Sequence, residues 1–230
     1  MKKKLILGLS AILVALAVAP MFAAFEAHVI NVTATIENAL YVHPESREFG
    51  TVFPQEYKEQ GIFVTFSQSF SATGQNRVGT VEYVIKQKPK PRPAFVNSVG
   101  LDAARQWCHD KVNDPSFLTN CYPSLCPYLS KTPDGHPSPG NDTGVPAFHD
   151  PFDPLSFAKG VITKFGTDLG DTWTIDLAVP CFKGQCSQDW ASFVKKYNPS
   201  VLNPDDYMAP KGMSGQTFGC DLWVEVTRIY

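Results

Sequence analysis

Residues 172–180 read Thr-Trp-Thr-Ile-Asp-Leu-Ala-Val-Pro. Trp173, Ile175, Leu177 and Val179 fall on one side, with Thr174, Asp176 and the small Ala178 on the other. A period of two with one apolar side is the pattern of a strand buried on one face and wetter on the other. The pattern recurs in both directions along the chain. Gly61 to Phe70 puts Ile62, Val64, Phe66 and Phe70 on one face, and Val78 to Lys88 groups Val81, Tyr83 and Ile85. The run from Thr217 is longer still, with Phe218, Cys220, Leu222, Val224 and Val226 opposed to Asp221, Trp223 and Glu225. A shorter strand is expected around Glu48 to Phe53. Strands with one polar face belong to antiparallel sheets, because parallel strands covered by helices read as continuous apolar runs. The expected fold class is therefore all-β, an antiparallel β-sandwich.

Between these strands lies a cysteine-bearing stretch, about residues 89–171, that reads as an insertion of loops and short helices. Lys88-Pro89-Lys90-Pro91-Arg92-Pro93 is extended and polyproline-like, since the residue before each proline is pushed out of the helical region. As a ligand for a proline-recognising domain it competes with a plainer role, the solvated exit from the preceding strand. A short helix is expected near Leu101 to Val112, and Thr132 to Pro154 reads as loop. A second helix is expected from Ser187 to Tyr197, with Ser187 as N-cap and Asn198-Pro199 as stop. Nineteen prolines and sixteen glycines fit a chain of many turns and few long helices. No internal repeat is evident, and the length suits one domain, residues 25–230.

The N-terminus carries a second decisive signal. Lys2, Lys3 and Lys4 precede the apolar run Leu5 to Val18, and Pro20 to Ala24 end in small residues suited to a signal peptidase. Residues 1–24 thus read as a signal peptide, with an uncleaved membrane anchor as the rival reading. A type IV pilin leader is disfavoured, as no glycine stands between the lysines and the apolar run. From Phe25 the chain continues FEAHVINVTATIENAL, with Ile30, Val32, Ala34 and Ile36 alternating against Asn31, Thr33 and Thr35. Cleavage after Ala24 leaves a mature chain that begins almost at once with a strand. That strand either opens its own domain or is donated to the sheet of another copy.

Six cysteines, Cys108, Cys121, Cys126, Cys181, Cys186 and Cys220, behind a signal peptide read as three disulfides made outside the reducing cytosol. The pairs Cys121/Cys126 and Cys181/Cys186 either close small loops or reach across the fold. A zinc site is the rival, but no C-x-x-C pair exists and no histidine sits at finger spacing. Loss of the leader removes three lysines, leaving 17 basic against 22 acidic residues. No basic field points to nucleic acid or an anionic membrane.

Catalytic signatures are missing. None of His28, His43, His109, His136 and His149 belongs to an H-E-x-x-H pair. Gly212-Met213-Ser214-Gly215-Gln216 resembles a nucleophile elbow without its final glycine or following helix. The chain reads as a non-enzyme with no cofactor. Asp134, Asn141, Asp142, Asp150 and Asp153 crowd one glycine-bearing loop and are weak calcium candidates, since their spacing fits no EF-hand and a solvated turn explains them as well. His149 beside Asp150 reads as a surface pair. Trp107, Trp173, Trp190 and Trp223, with Tyr83 and Tyr128, are candidates for a glycan-binding face. Trp173 shares its side with core residues, whereas Trp223 shares the Asp221/Glu225 side and is expected to be exposed. Asn31-Val32-Thr33 and Asn141-Asp142-Thr143 match the N-glycosylation pattern, which chance also supplies.

Met1-Lys2-Lys3-Lys4, the junction Phe22-Ala23-Ala24-Phe25 and the strand starting at His28 resemble the TasA/CalY (camelysin-like) family of exported bacterial fibre proteins. The strand Gly219-Cys220-Asp221-Leu222-Trp223-Val224-Glu225-Val226 fits that family's architecture without being one of its motifs. The resemblance covers both ends of the chain and hardly touches Ala94 to Asp171. It implies a jelly-roll sandwich, export through a signal peptidase, and extracellular filaments at the cell surface or in the biofilm matrix. In these, the first strand of one copy enters the sandwich of the next, head to tail. Phe25, Ile30, Val32, Ala34 and Ile36 would be the donor residues. The six cysteines and the long middle stretch depart from the pattern. A monomeric surface module for glycan or protein is the first alternative. The family's metallopeptidase label, the second, finds no motif here.

Overall fold

The computed structural model describes residues 38–72, 78–133, 143–150, 153, 155–164 and 169–230. The leader, the donor residues Phe25 to Ile36 and the calcium candidates Asp134, Asn141 and Asp142 lie outside them.

The described residues form two antiparallel sheets. Strands β1 (Leu40–His43), β2 (Tyr57–Phe66), β6 (Gly170–Ala178) and β4 (Leu129–Thr132) lie in the order β1-β2-β6-β4. Strands β5 (Phe157–Thr163), β3 (Thr80–Pro89) and β7 (Cys220–Ile229) form the second sheet in the order β5-β3-β7. Ile62 lies opposite Trp173, and Gln60 opposite Ile175, so the apolar residues of β2 and β6 share one face. In the other sheet Ile85 faces both Ala158 and Val224. These two faces meet in one core, where Val64, Val81, Ile85, Trp173, Ile175 and Leu177 are buried. Two sheets sharing one core make an all-β sandwich, as the alternation predicts.

The seam between the sheets carries buried polar contacts, among them one centred on Tyr83. Trp173 Nε1 donates to Tyr83 Oη at 2.7 Å, and Tyr83 Oη donates to the buried Asp171 carboxylate. Tyr83 needs room for this, and Gly160 opposite it on β5 supplies the space. A Cβ there would sit 2.3 Å from Tyr83 Cζ.

The helices are short. α1 (Gln68–Ser71) follows β2 directly, so the strand expected to run to Phe70 ends at Phe66. α2 (Pro93–Val99) opens with Pro93 in its first turn, where a missing N–H costs nothing. Gly100, at φ 88°, turns the chain into α3 (Leu101–Asp110), shorter than the helix expected to reach Val112. α4 (Phe117–Asn120) and α5 (Trp190–Tyr197) complete the set among the described residues. Ser187 does not cap α5. Asp189 occupies that position, and the Ser187 hydroxyl is engaged with Asp189 and Gln55.

Two further expectations are corrected. Glu48 to Phe53 forms no strand, because Gly50 takes φ 69° and breaks the extended backbone. Of the stretch expected to be loops and short helices, two segments are strands: β4 joins one sheet and β5 the other.

Three disulfides close the chain: Cys108–Cys121, Cys126–Cys220 and Cys181–Cys186. The even cysteine count is thus consumed. Cys181/Cys186 closes a small loop, while Cys121 and Cys126 each pair elsewhere. Such pairing is the chemistry of an oxidising compartment. Among the described residues, no helix is long and apolar enough to cross a membrane.

Candidate functional site

The two long flanks of the sandwich differ. On one, residues 143–145 bridge both sheets. Val145 N donates to Lys131 O of β4 at 2.9 Å, and Thr143 N donates to Lys159 O of β5 at 3.0 Å. Both edge strands there are covered. The outermost strands at the other ends of the two sheets are β1 and β7, and among the described residues neither has a partner beyond it. That sheet has three strands against four in its neighbour, so the gap lies beside β7.

Inner-face residues of β7 mark the gap. Val226 lies opposite the buried Tyr83, and Ile229 opposite the buried Val81, so both point toward the core side. Yet Val226 is 40% exposed and Ile229 46%. The register slips by one residue between Glu82 and Tyr83, leaving Thr227 as a bulge in β7. Its hydroxyl donates to Glu82 O at 3.1 Å. On β1, Leu40 and Val42 lie opposite Phe66 and Val64 and are only half-buried. An apolar inner surface, open backbone groups and an edge of ten residues are what an added strand requires.

On the outer face of β1 and β2, Tyr41 (51% exposed) and Phe63 are also exposed. Tyr41 stacks on His43 at 6.2 Å.

The other half of β7 is closed. Trp223 is half-buried rather than exposed as expected. Lys88 Nζ lies 3.5 Å from its ring centre and the Arg105 guanidinium 5.0 Å away. Arg105 Nε donates to Asp221 at 3.2 Å, pinning α3 to the strand. Glu225 accepts from both Lys86 and Lys88; burial opposes its charge, but the two ammoniums hold its carboxyl below the usual range. With both cations against it, Trp223 offers no open platform for a sugar. A shallow groove of about 280 Å³ runs beside it, lined by Pro91, Val96, Leu101, Arg105 and Asp221. The remaining tryptophans are structural: Trp173 and Trp190 are buried, and Trp107 packs on Phe117 and the Cys108–Cys121 bridge.

The acidic loop gathers no ion-binding set among the described residues, where no group of three or more metal-capable side chains occurs. Asp153 spends Oδ1 on the Leu155 amide at 2.9 Å. His149 is half-buried rather than at the surface. Its Nε2 accepts from Lys131 Nζ at 3.3 Å, and its Nδ1 donates to Pro146 O at 2.6 Å. Lys131 itself is fully buried, and no periodicity could announce a lysine at a core position. Asp176, also buried, accepts from Ser130 and from Tyr57 Oη at 3.0 Å. Burial and the Asp176 charge push the Tyr57 hydroxyl far up, so it stays protonated.

No protein-family model, no curated protein and no solved structure matches this chain.

Proposed function

We propose that this chain is a non-enzymatic, exported subunit of extracellular filaments, joined by addition of the N-terminal strand of one copy to the sandwich of the next. The observation that supports this most directly is the edge of β7, which has no partner strand among the described residues and carries Val226 and Ile229 on the core side, still exposed. Phe25 to Ile36 is the donor, its Ile30, Val32, Ala34 and Ile36 supplying the alternate apolar side chains such an edge accepts. The contact is head to tail and does not close on itself, so repetition yields a filament. The resemblance of both chain ends to the TasA/CalY family, with its jelly-roll subunits, adds to this reading, and three disulfides suit a matrix outside the cell.

The test is electron microscopy of the oxidised mature protein, Phe25 to Tyr230, beside the same protein lacking residues 25–36. Filaments from the first and soluble, disulfide-bonded monomers from the second are expected. Normal filaments from the shortened protein would sink the reading. A glycan- or protein-binding monomer is the second reading, favoured by the groove beside Arg105 and Asp221. It predicts retention on cell-wall or exopolysaccharide material by a protein that stays monomeric.

A further inference from the structure

We propose that residues 143–150 form an acid-released strap, latched across the covered flank of the sandwich by the contact between Lys131 and His149. The proposal concerns the edges of β4 and β5 and does not depend on filament assembly.

Three attachments hold the strap. Residues 143–145 pair with β4 on one side and with β5 on the other, joining the edges of the two sheets. Phe148, held at φ 62° and buried, drives its ring among Tyr128, Trp190, Phe193 and Tyr207, with Tyr207 at 4.9 Å. Asn198 Nδ2, just past α5, donates to Ala147 O at 3.2 Å. The latch closes the far end. His149 uses Nδ1 to bond Pro146 O, which leaves Nε2 free of a proton and able to accept from Lys131 Nζ.

This arrangement works only while His149 is neutral. A second proton on the ring removes the acceptor and sets two cations 3.3 Å apart in a poorly hydrated site. Burial, then the Lys131 charge, push the imidazole down to about 4, against the pull of the Pro146 carbonyl and Asp153. Burial pushes the Lys131 amine down to about 7, with Asp176 of β6 opposing. The other groups facing the pair do not offset a second charge. Ser130 and Tyr57 are spent on Asp176, Tyr128 is kept neutral by burial, and Asp150 is exposed. An opened strap returns both groups to water, where each binds its proton more readily. Acid therefore favours the open form, through Lys131 above neutrality and through His149 below it.

Opening would uncover the edges of β4 and β5 and withdraw Phe148 from its aromatic pocket. The test is hydrogen exchange read by mass spectrometry on the intact, oxidised chain, at about pH 8 and about pH 5, corrected for the intrinsic rate. Protection of 143–150 and of β4 is expected to fall by about tenfold more than that of residues 62–66 and 81–85. His149→Gln keeps an acceptor without gaining a proton, and Lys131→Met removes the facing charge; each should reduce the selective loss, and the double variant should abolish it. An unchanged loss in His149→Gln would overturn the latch, and so would equal loss of protection in the core strands. If Lys131→Met does not fold, His149→Gln alone decides.

Discussion

Tyr83 shows how a single residue ties the sheets together. Its hydroxyl accepts from Trp173 of the facing sheet and donates to Asp171, so each group of this buried chain has a partner. The ring fits only because Gly160 has no Cβ. Gly160→Ala is expected to displace the ring, break the Trp173 bond and destabilise the fold by about 2–4 kcal/mol, combining overpacking with a lost buried hydrogen bond. Urea unfolding followed by Trp fluorescence measures this, and a loss below about 0.5 kcal/mol would contradict the contact. Lys131 supplies a pH-dependent counterpart. Its amine is pushed from 10.5 down to about 7 in the folded chain. Between those values the unfolded chain holds a proton that the folded chain releases, so stability rises with pH across that window. Lys131→Met should flatten the rise and add about 1–3 kcal/mol near neutral pH, because it removes a buried charge. Equal slopes for both proteins between about pH 7 and about pH 10 would show that Lys131 is hydrated and of ordinary basicity.

At the scale of the element, β7 does two jobs along its length. Near Cys220 its outer face is covered by α3 through Arg105 and Asp221; from Val226 onward, around the bulge at Thr227, its inner face is exposed. Val226→Asp places a charge on the surface an added strand must cover. It should prevent filaments while costing the monomer about 1 kcal/mol or less, since the side chain is already 40% exposed. Electron microscopy and urea unfolding on the same preparation separate the two effects, and filaments of normal appearance would remove β7 as the accepting edge. The alternation that makes β7 legible from sequence makes β2, β3 and β6 legible too, because each buries a row of large apolar residues. β4 and β5 escape that reading for physical reasons. β4 presents Lys131 on the core side, and β5 turns Ala158, Gly160 and Ile162 inward, a row in which two of three residues are small and Gly160 is required by the bulk of Tyr83. β1 has only four residues, too few for a period to declare itself. The candidate site was legible in part: Val226 could be assigned a face from alternation, but not an open edge, which is a property of sheet order. The contact of Lys131 with His149 leaves no local signal, since a charged residue in a polar stretch ordinarily reads as solvated.

At the scale of the whole molecule, the disulfides distribute constraint unevenly. Cys126–Cys220 spans 94 residues and fastens the start of β7 to the turn before β4, coupling the two sheets from outside their hydrogen-bonded ladders. Cys108–Cys121 spans 13 residues within the helical segment, and Cys181–Cys186 only 5. If each bridge acts chiefly on the unfolded chain, its contribution grows with the loop it closes. The expected values are about 4.7 kcal/mol for the longest, about 3 for the middle one and about 2 for the shortest. Paired cysteine-to-alanine replacements should lower the midpoint of thermal unfolding in that order. Cys126/Cys220 has a further consequence that loop length does not capture, because it positions the strand whose far half is the proposed accepting edge. Removing it should therefore weaken assembly as well as stability, whereas Cys181/Cys186 should affect stability alone. The two effects are separable by assaying filaments well below the unfolding midpoint of each variant, where all chains are folded. Filament yield unchanged by loss of Cys126/Cys220 under those conditions would mean that β7 keeps its place through β3 alone.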